Sequence, residues 1–261
     1  MHKIQLSDIN RHNSTRDDMI RQLLKTKFIK YLNKKGLTIV PFNTREAQLE
    51  KVRYSWLIKQ NINSVIDVGA SEGGFATKFR GLFPEAKIYS FEPIPRSFKK
   101  LIKKFELDKN FFAYNMALGN TTGELEFNRN EHIGASSFLE ISKLHKDAHP
   151  YTQNYSKIKV GVNKLDNIFK PNNLTPNIIL KLDVQGYEIE VLKGAEGLLK
   201  HIKFIYSEVC FNKLYEKQPL INEIVSFLKE KGFQISGIEN ISQSIKDGLF
   251  LNADAIFTSR S

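Results

Sequence analysis

The chain has 261 residues, 41% of them hydrophobic and 26% charged, with a formal net charge of +11 and a pI near 9.5. That length supports one large domain, or a domain with an extension, around a sizeable core. No apolar run approaches the ~18 residues of a membrane span. The polar start "MHKIQLSDINRHNSTRDD" lacks the apolar segment of a secretory leader, so a cytoplasmic protein is expected. The single cysteine, Cys210, excludes an intrachain disulfide and a cysteine-rich metal site. A half-buried free thiol at a strand end is expected there.

Residues 16–34 read as a helix stopped by Gly36. Residues 44–60 read as a second, with Thr44 as N-cap and Leu49, Val52 and Trp56 at core spacing. Strands and helices then alternate. "SVIDV" is a strand, 73–82 a helix and "KIYSF" a strand. In the helix expected over 95–106, Phe98, Leu101, Ile102 and Phe105 form an apolar stripe, and Lys99, Lys100, Lys103 and Lys104 form a solvated face. "FFAYNMAL" is a strand. "GELEFN" and "IKVGVNKL" are strands flanking a long polar stretch that holds His132, His145 and His149. "NIILKLDV" and "IKFIYSEV" are strands separated by a helix over 187–199. A helix over 219–231 precedes "FQISGI" and "ADAIFT", which read as a closing hairpin.

This alternation predicts a mostly parallel sheet covered on both faces. Ligands of such sheets bind beyond the carboxyl ends of the strands, where strand order reverses. The expected organisation is an N-terminal helical extension over 1–43 and a main domain over 44–261, with 120–170 as a substrate-side insertion.

The first strand runs into "DVGASEGGF", a loop of small residues opening a helix. Such a loop lets a ligand approach the backbone. A dinucleotide fingerprint would need a glycine where Ser71 stands, and the G-K-[ST] of a P-loop is absent. Asp67 and Glu72 would repel a pyrophosphate. They suit a ligand with a cationic amino-acid end, such as S-adenosylmethionine. Glu92 ends the second strand 25 residues after Asp67, where a carboxylate can accept both ribose hydroxyls.

"VIDVGASEGGF", "FEP", "NMALGN", "GASSF", "LKLDVQGYEIEVLKGA" and "SEVCFNKLYEKQP" together resemble, in content and order, the FkbM-type methyltransferases. The resemblance covers roughly residues 45–257. It implies a Rossmann-like class I methyltransferase fold: a seven-stranded, mostly parallel sheet with a terminal antiparallel strand and helices on both faces. It also implies S-adenosylmethionine as cofactor. Asp67, Gly69, Ser71 and Gly73 would cradle its methionine end, with Ala70 and Phe75 beside them. Glu92, with Pro93 next to it, would hold the ribose, and Ala117 and Leu118 would flank the adenine.

Asp183 is expected at the mouth of the site, touching the cofactor beside the transferred methyl, and Lys181, two residues earlier, is expected among the catalytic residues with it. A sugar hydroxyl is weakly acidic, so a general base should take its proton. Asp183 is the first candidate. His132 and Glu208 are next, an imidazole being a natural proton acceptor near neutral pH. Gln185 cannot act as a base. His145 and His149 read as solvent residues and Asp166 as a turn or cap. Asp183, Glu208 and a loop histidine would be acceptable hard metal ligands, but nothing in the spacing demands a metal and none is expected. The implied activity is O-methylation of a hydroxyl on a glycan or related small molecule. The alternatives are a nucleic-acid methyltransferase, suggested by the +11 charge, and a non-catalytic cofactor-binding module.

Overall fold

A computed structural model describes Lys27 and residues 42–170 and 174–260. The chain divides into two compact units, Met1–Arg53 and Tyr54–Ser261. The described part of the first is Lys27, which is helical, and the helix Phe42–Arg53. The rest of the helix expected over 16–34 lies outside the described residues, as does Gly36. Thr44 falls inside the helix and does not cap it, because the helix already begins at Phe42. Leu49 and Val52 are exposed, not core. Helix Phe42–Arg53 ends before Tyr54, and in the second unit Tyr54 and Leu57 are the buried side chains while Trp56 stays largely outside.

The second unit is built on a seven-stranded sheet. β1 (Ser64–Val68) pairs in parallel with β2 (Lys87–Phe91), and β2 with β3 (Phe111–Tyr114). On its other side β1 pairs in parallel with β7 (Ile178–Leu182), and β7 with β8 (Ile202–Cys210). β10 (Asn252–Ser259) lies antiparallel between β8 and β9 (Phe233–Glu239). The order β3-β2-β1-β7-β8-β10-β9 is Rossmann-like and reverses direction between β1 and β7. Every residue of β1 and β7 is buried, as expected of central parallel strands covered on both faces, and the charged residues among them are Asp67 of β1 and Lys181 of β7.

The expected strand "FFAYNMAL" is two elements. It stops at Tyr114 because the Asn115 amide turns the chain by donating to the carbonyls of Glu92 (2.9 Å) and Pro93 (3.2 Å). The remainder, β4 (Ala117–Leu118), belongs to a second sheet with β5 (Gly123–Asn130) and β6 (Tyr155–Asn163), in the order β4-β6-β5. Within the expected insertion over 120–170 the two expected strands form an antiparallel pair, and the polar stretch between them folds into short helices, Ile133–Ala135, Lys143–Ala148 and Pro150–Thr152. β6 ends at Asn163, whose side chain accepts from the Lys164 N–H (2.8 Å), and a short helix, Leu165–Ile168, follows.

Two helices also differ from expectation. In Pro95–Lys104 the buried positions are Ser97 and Leu101, while Ile102 is exposed. The helix expected over 187–199 is two, Glu188–Lys193 and Glu196–Leu199. Between them Gly194 presses on the turn after β4, and a Cβ there would lie 2.0 Å from the Gly119 carbonyl oxygen. Cys210 is fully buried, not half-buried. Its thiol accepts from the Gln218 amide (3.0 Å), and burial pushes its pKa up. Among the described residues no helix is long and apolar enough to cross a membrane.

The Gly194 contact predicts that Gly194→Ala costs about 1–3 kcal/mol by overpacking, read as a lowered midpoint in chemical denaturation.

Candidate active site

The turn after β1 and the end of β2 are locked together. The N–H groups of Gly69 and Ala70 both donate to the Phe91 carbonyl at 3.0 Å. Gly69 has φ +76°, and a Cβ there would lie 1.9 Å from the Asp183 carbonyl oxygen. Only glycine lets β1 turn beneath the end of β7. Ser71 also has a positive φ, 49°. That conformation aims its N–H at Glu92 Oε2 (2.8 Å), while the Ile94 N–H donates to Oε1 (2.8 Å). Glu92 is therefore clamped by backbone, with one further lone pair on each oxygen available to a ligand. Burial pushes its pKa up to about 7, against the lowering by those two N–H groups and Lys181.

Glu92 lies on the rim of a mostly apolar cleft. Gly69, Ser71 and Pro93 share that rim. Ala117 and Leu118 form one wall, and Phe127, Ile133 and Phe138 of the second-sheet region form the other. Those last three were not expected in the site. The alternation in β5 could have turned Phe127 inward, but no local pattern brings the second sheet to this edge of the first.

Asp183 lies where this cleft meets a wider one of about 1490 Å³. The wider cleft is lined by Ala70, Phe75, Lys181 and His132, and also by Tyr206, Asn240 and Asp254. His132 is exposed, and its ring packs edge-on against Tyr151 at 4.7 Å. Asp67, Gly73 and Glu208 line neither cleft.

Asp67 is instead sealed beneath the loop, with no exposed surface. Its Oδ1 lies 3.1 Å from Lys181 Nζ, which also donates to the Gly69 carbonyl (3.0 Å) and lies 3.5 Å from Asp183 Oδ2. Burial works against the Lys181 charge, but Asp67 and Asp183 outweigh it and hold the ammonium's pKa above its ordinary value. Burial likewise pushes the Asp67 carboxyl up, with Lys181 opposing.

Gln185, in a left-handed conformation at φ 54°, orients the other side of Asp183. Its amide nitrogen donates to Asp183 Oδ1 (2.7 Å) and Glu208 Oε2 (3.1 Å), and its carbonyl accepts from the Tyr215 hydroxyl (2.8 Å). Tyr215 thereby fixes which way the amide faces. Burial, then the charges of Asp183, Glu188 and Asp254, push Glu208 well above the ordinary carboxyl range. Glu188 caps the turn, accepting from the N–H groups of Val184 (3.3 Å) and Gly186 (3.1 Å).

His145 is not a solvent residue. It is buried against Tyr215, with ring centroids 5.1 Å apart, and burial lowers its pKa to about 4. His149 is half-buried. Asp166 is a cap, though for another helix: it accepts from the N–H groups of Gly197 (2.8 Å) and Leu198 (2.9 Å). Among the described residues no group of three or more His, Cys, Asp or Glu side chains is arranged to hold a metal ion.

A glycine turn at the strand-order reversal, an acidic end to β2 and an apolar cleft between them lie together at the carboxyl ends of the parallel strands, where ligands of Rossmann-like folds bind. The model of the methyltransferase FkbM domain matches residues 67–235, so the chain belongs to that family. It is 25% identical over 170 residues to the 2-O-methyltransferase NoeI of Sinorhizobium fredii, covering 63% of this chain and 70% of that protein. It is 23% identical over 164 residues to the hexuronic acid methyltransferase AglP of Haloferax volcanii, covering 60% of this chain and 64% of that one. A solved FkbM methyltransferase from Methylobacillus flagellatus aligns with a TM-score of 0.49 at 14% identity, over 75% of this chain and 44% of that chain.

The Asp67–Lys181 pair predicts that Lys181→Met, which leaves Asp67 buried without a counter-charge, costs about 3–5 kcal/mol. Adding Asp67→Asn should restore most of that loss in denaturant titrations.

Proposed function

We propose that this protein is an S-adenosylmethionine-dependent O-methyltransferase whose acceptor is a hydroxyl of a glycan or related polyhydroxylated small molecule. The observation that carries the reading is the clamped Glu92 carboxylate at the rim of an apolar cleft that opens at Asp183. A nucleoside needs such a pairing: an acceptor for two ribose hydroxyls beside a slot for a flat base. Four carboxylates line the wider cleft, Glu72, Glu131, Asp183 and Asp254, against three lysines, Lys78, Lys104 and Lys181, a balance that suits a cationic amino-acid tail better than a pyrophosphate. The names of NoeI, a 2-O-methyltransferase, and AglP, a hexuronic acid methyltransferase, support oxygen and sugar as acceptor chemistry.

Glu92 would hold the ribose, and Ala117, Leu118, Phe127 and Phe138 the adenine. The loop over 69–75 would hold the methionine end. When bound, the cofactor supplies a methyl group on a positively charged sulfur. The chain contributes position and a proton acceptor. Asp183, at the meeting of the two clefts, accepts the hydrogen bond of the incoming hydroxyl and takes its proton as the oxygen attacks. Lys181 and Gln185 hold that carboxylate in one orientation from opposite sides. His132, on the wall of the wider cleft, is the second candidate for the proton.

The proton on Glu92 sets the pH dependence of cofactor binding. Below about 7 its carboxyl is protonated and loses acceptor capacity. Affinity for S-adenosylhomocysteine should therefore fall as pH drops through 7, approaching tenfold per unit further down. Glu92→Gln puts an NH₂ against a backbone N–H and should weaken binding about tenfold or more at pH 8. Calorimetry with S-adenosylhomocysteine checks both, and uptake of NAD or ATP in its place would refute the cofactor assignment. For the base, Asp183→Asn should lower kcat by about a hundredfold or more with cofactor affinity kept. A larger loss in His132→Ala than in Asp183→Asn would transfer that role to His132.

A further inference from the structure

The helix Pro95–Lys104 and the β5–β6 pair flank an open groove beside the cofactor cleft. Five of its eight lining residues are cationic, Arg96, Lys99, Lys100, Arg129 and Lys159, and none is acidic. Arg96, Lys99 and Lys100 fall at i, i+3 and i+4, on one face of the helix. Arg129 stands two residues beyond Phe127 on the same face of β5. Phe127 lines the cofactor cleft, so Arg129 continues that wall outward. Lys100 is paired with Glu72 at 2.6 Å. Among the described residues Arg96, Lys99, Arg129 and Lys159 have no carboxylate partner, whereas the neighbouring Lys157 has Glu126 at 2.6 Å.

The groove is joined to the site. A smaller cleft holding Arg96, Arg129 and one acid, Glu131, is bounded by Ile94 and Ile133, and both isoleucines also line the cofactor cleft. A molecule with one hydroxyl at Asp183 can therefore extend past Ile133 into a cationic channel. Clefts lined by one sign of charge concentrate counter-ions, and guanidinium groups pair with carboxylate and phosphate through two parallel hydrogen bonds. The floor is aliphatic, Ile94, Pro95 and Ile158, with no aromatic ring. Single-stranded nucleic acid usually stacks its bases on such rings, and here they have no platform.

We infer that this groove binds the acidic part of the acceptor, and that the acceptor is an anionic glycan carrying carboxylate or phosphate groups on units next to the methylated one. The inference rests on the methyltransferase reading and narrows its substrate class. Fluorescence anisotropy on the full chain tests it with four labelled probes. These are an oligogalacturonate, its carboxyl-reduced neutral counterpart, a phosphomannan oligomer and a single-stranded RNA of matched charge. At low ionic strength the oligogalacturonate or the phosphomannan should bind, and added salt should weaken it. Arg96→Ala/Arg129→Ala should weaken it about tenfold or more. Lys200→Ala, outside the groove, should not. The neutral oligomer should not bind. The double variant should take up S-adenosylhomocysteine like the wild type, which separates loss of the groove from a misfolded or misassigned cofactor site. Failure of both anionic glycans, equal binding of the neutral oligomer, tighter binding of the RNA, or indifference to the double substitution would each overturn the inference. Absent uptake of S-adenosylhomocysteine by the wild type would instead strike the methyltransferase reading.

Discussion

The Lys181 ammonium is the point at which the two central strands are held in working register. It leaves β7 and reaches under the β1 turn, where it meets the buried Asp67 carboxylate, the Gly69 carbonyl and the Asp183 carboxylate. A charge removed from water this completely needs compensation from several sides. The chain supplies it from β1, from the turn and from the residue just beyond β7. The same contacts fix the level of the Gly69 turn relative to Asp183. The methyl-transfer geometry proposed here depends on that level, since the turn would carry the cofactor's tail and Asp183 would receive the acceptor.

Around this pair the site is organised by backbone as much as by side chains. Glu92 is aimed by two N–H groups, one of them from Ser71 in a left-handed conformation. Gln185, also left-handed, links Asp183 to Glu208 and Tyr215 through both ends of its amide. Backbone strain at both loops that meet the clefts is paid for by these hydrogen bonds. A serine in place of a glycine at position 71 thus marks a loop whose N–H has a carboxylate to satisfy. Glu208, expected among the candidates for a proton acceptor, sits behind Gln185 and takes hydrogen bonds from Gln185 and Asn252.

The second sheet gives the cleft its particular outline. It closes one side with Phe127, while Arg129, further along the same strand, opens onto the cationic groove. One strand thus supplies apolar cover and, two residues later, charge. The excess of +11 is accordingly not spread evenly. Lys103 is exposed on the helix face and Lys104 donates to the Glu72 carbonyl, while Arg96, Lys99 and Arg129 converge beside the cleft.

Local pattern was enough for the parallel sheet, for the glycine turn and for the acid ending β2, because each depends on residues close together in sequence. The short runs of β1 and β7, apolar but for Ser64, Asp67 and Lys181, announce strands of the sheet interior, and "DVGASEGGF" announces a turn with backbone in reach of a ligand. Tertiary structure alone decided that "FFAYNMAL" breaks at Asn115, whose amide finds carbonyls at the end of β2. It likewise decided that Gly194 splits a helix against Gly119, and that the polar stretch between β5 and β6 folds into short helices, Ile133–Ala135, Lys143–Ala148 and Pro150–Thr152. It also moved Asp67 from ligand-facing to buried, since only the approach of β7 brings Lys181 to it. Contacts between residues far apart in sequence leave no period, and the cationic groove is built from such contacts: its sides come from a helix and two strands that become neighbours only when both sheets have packed.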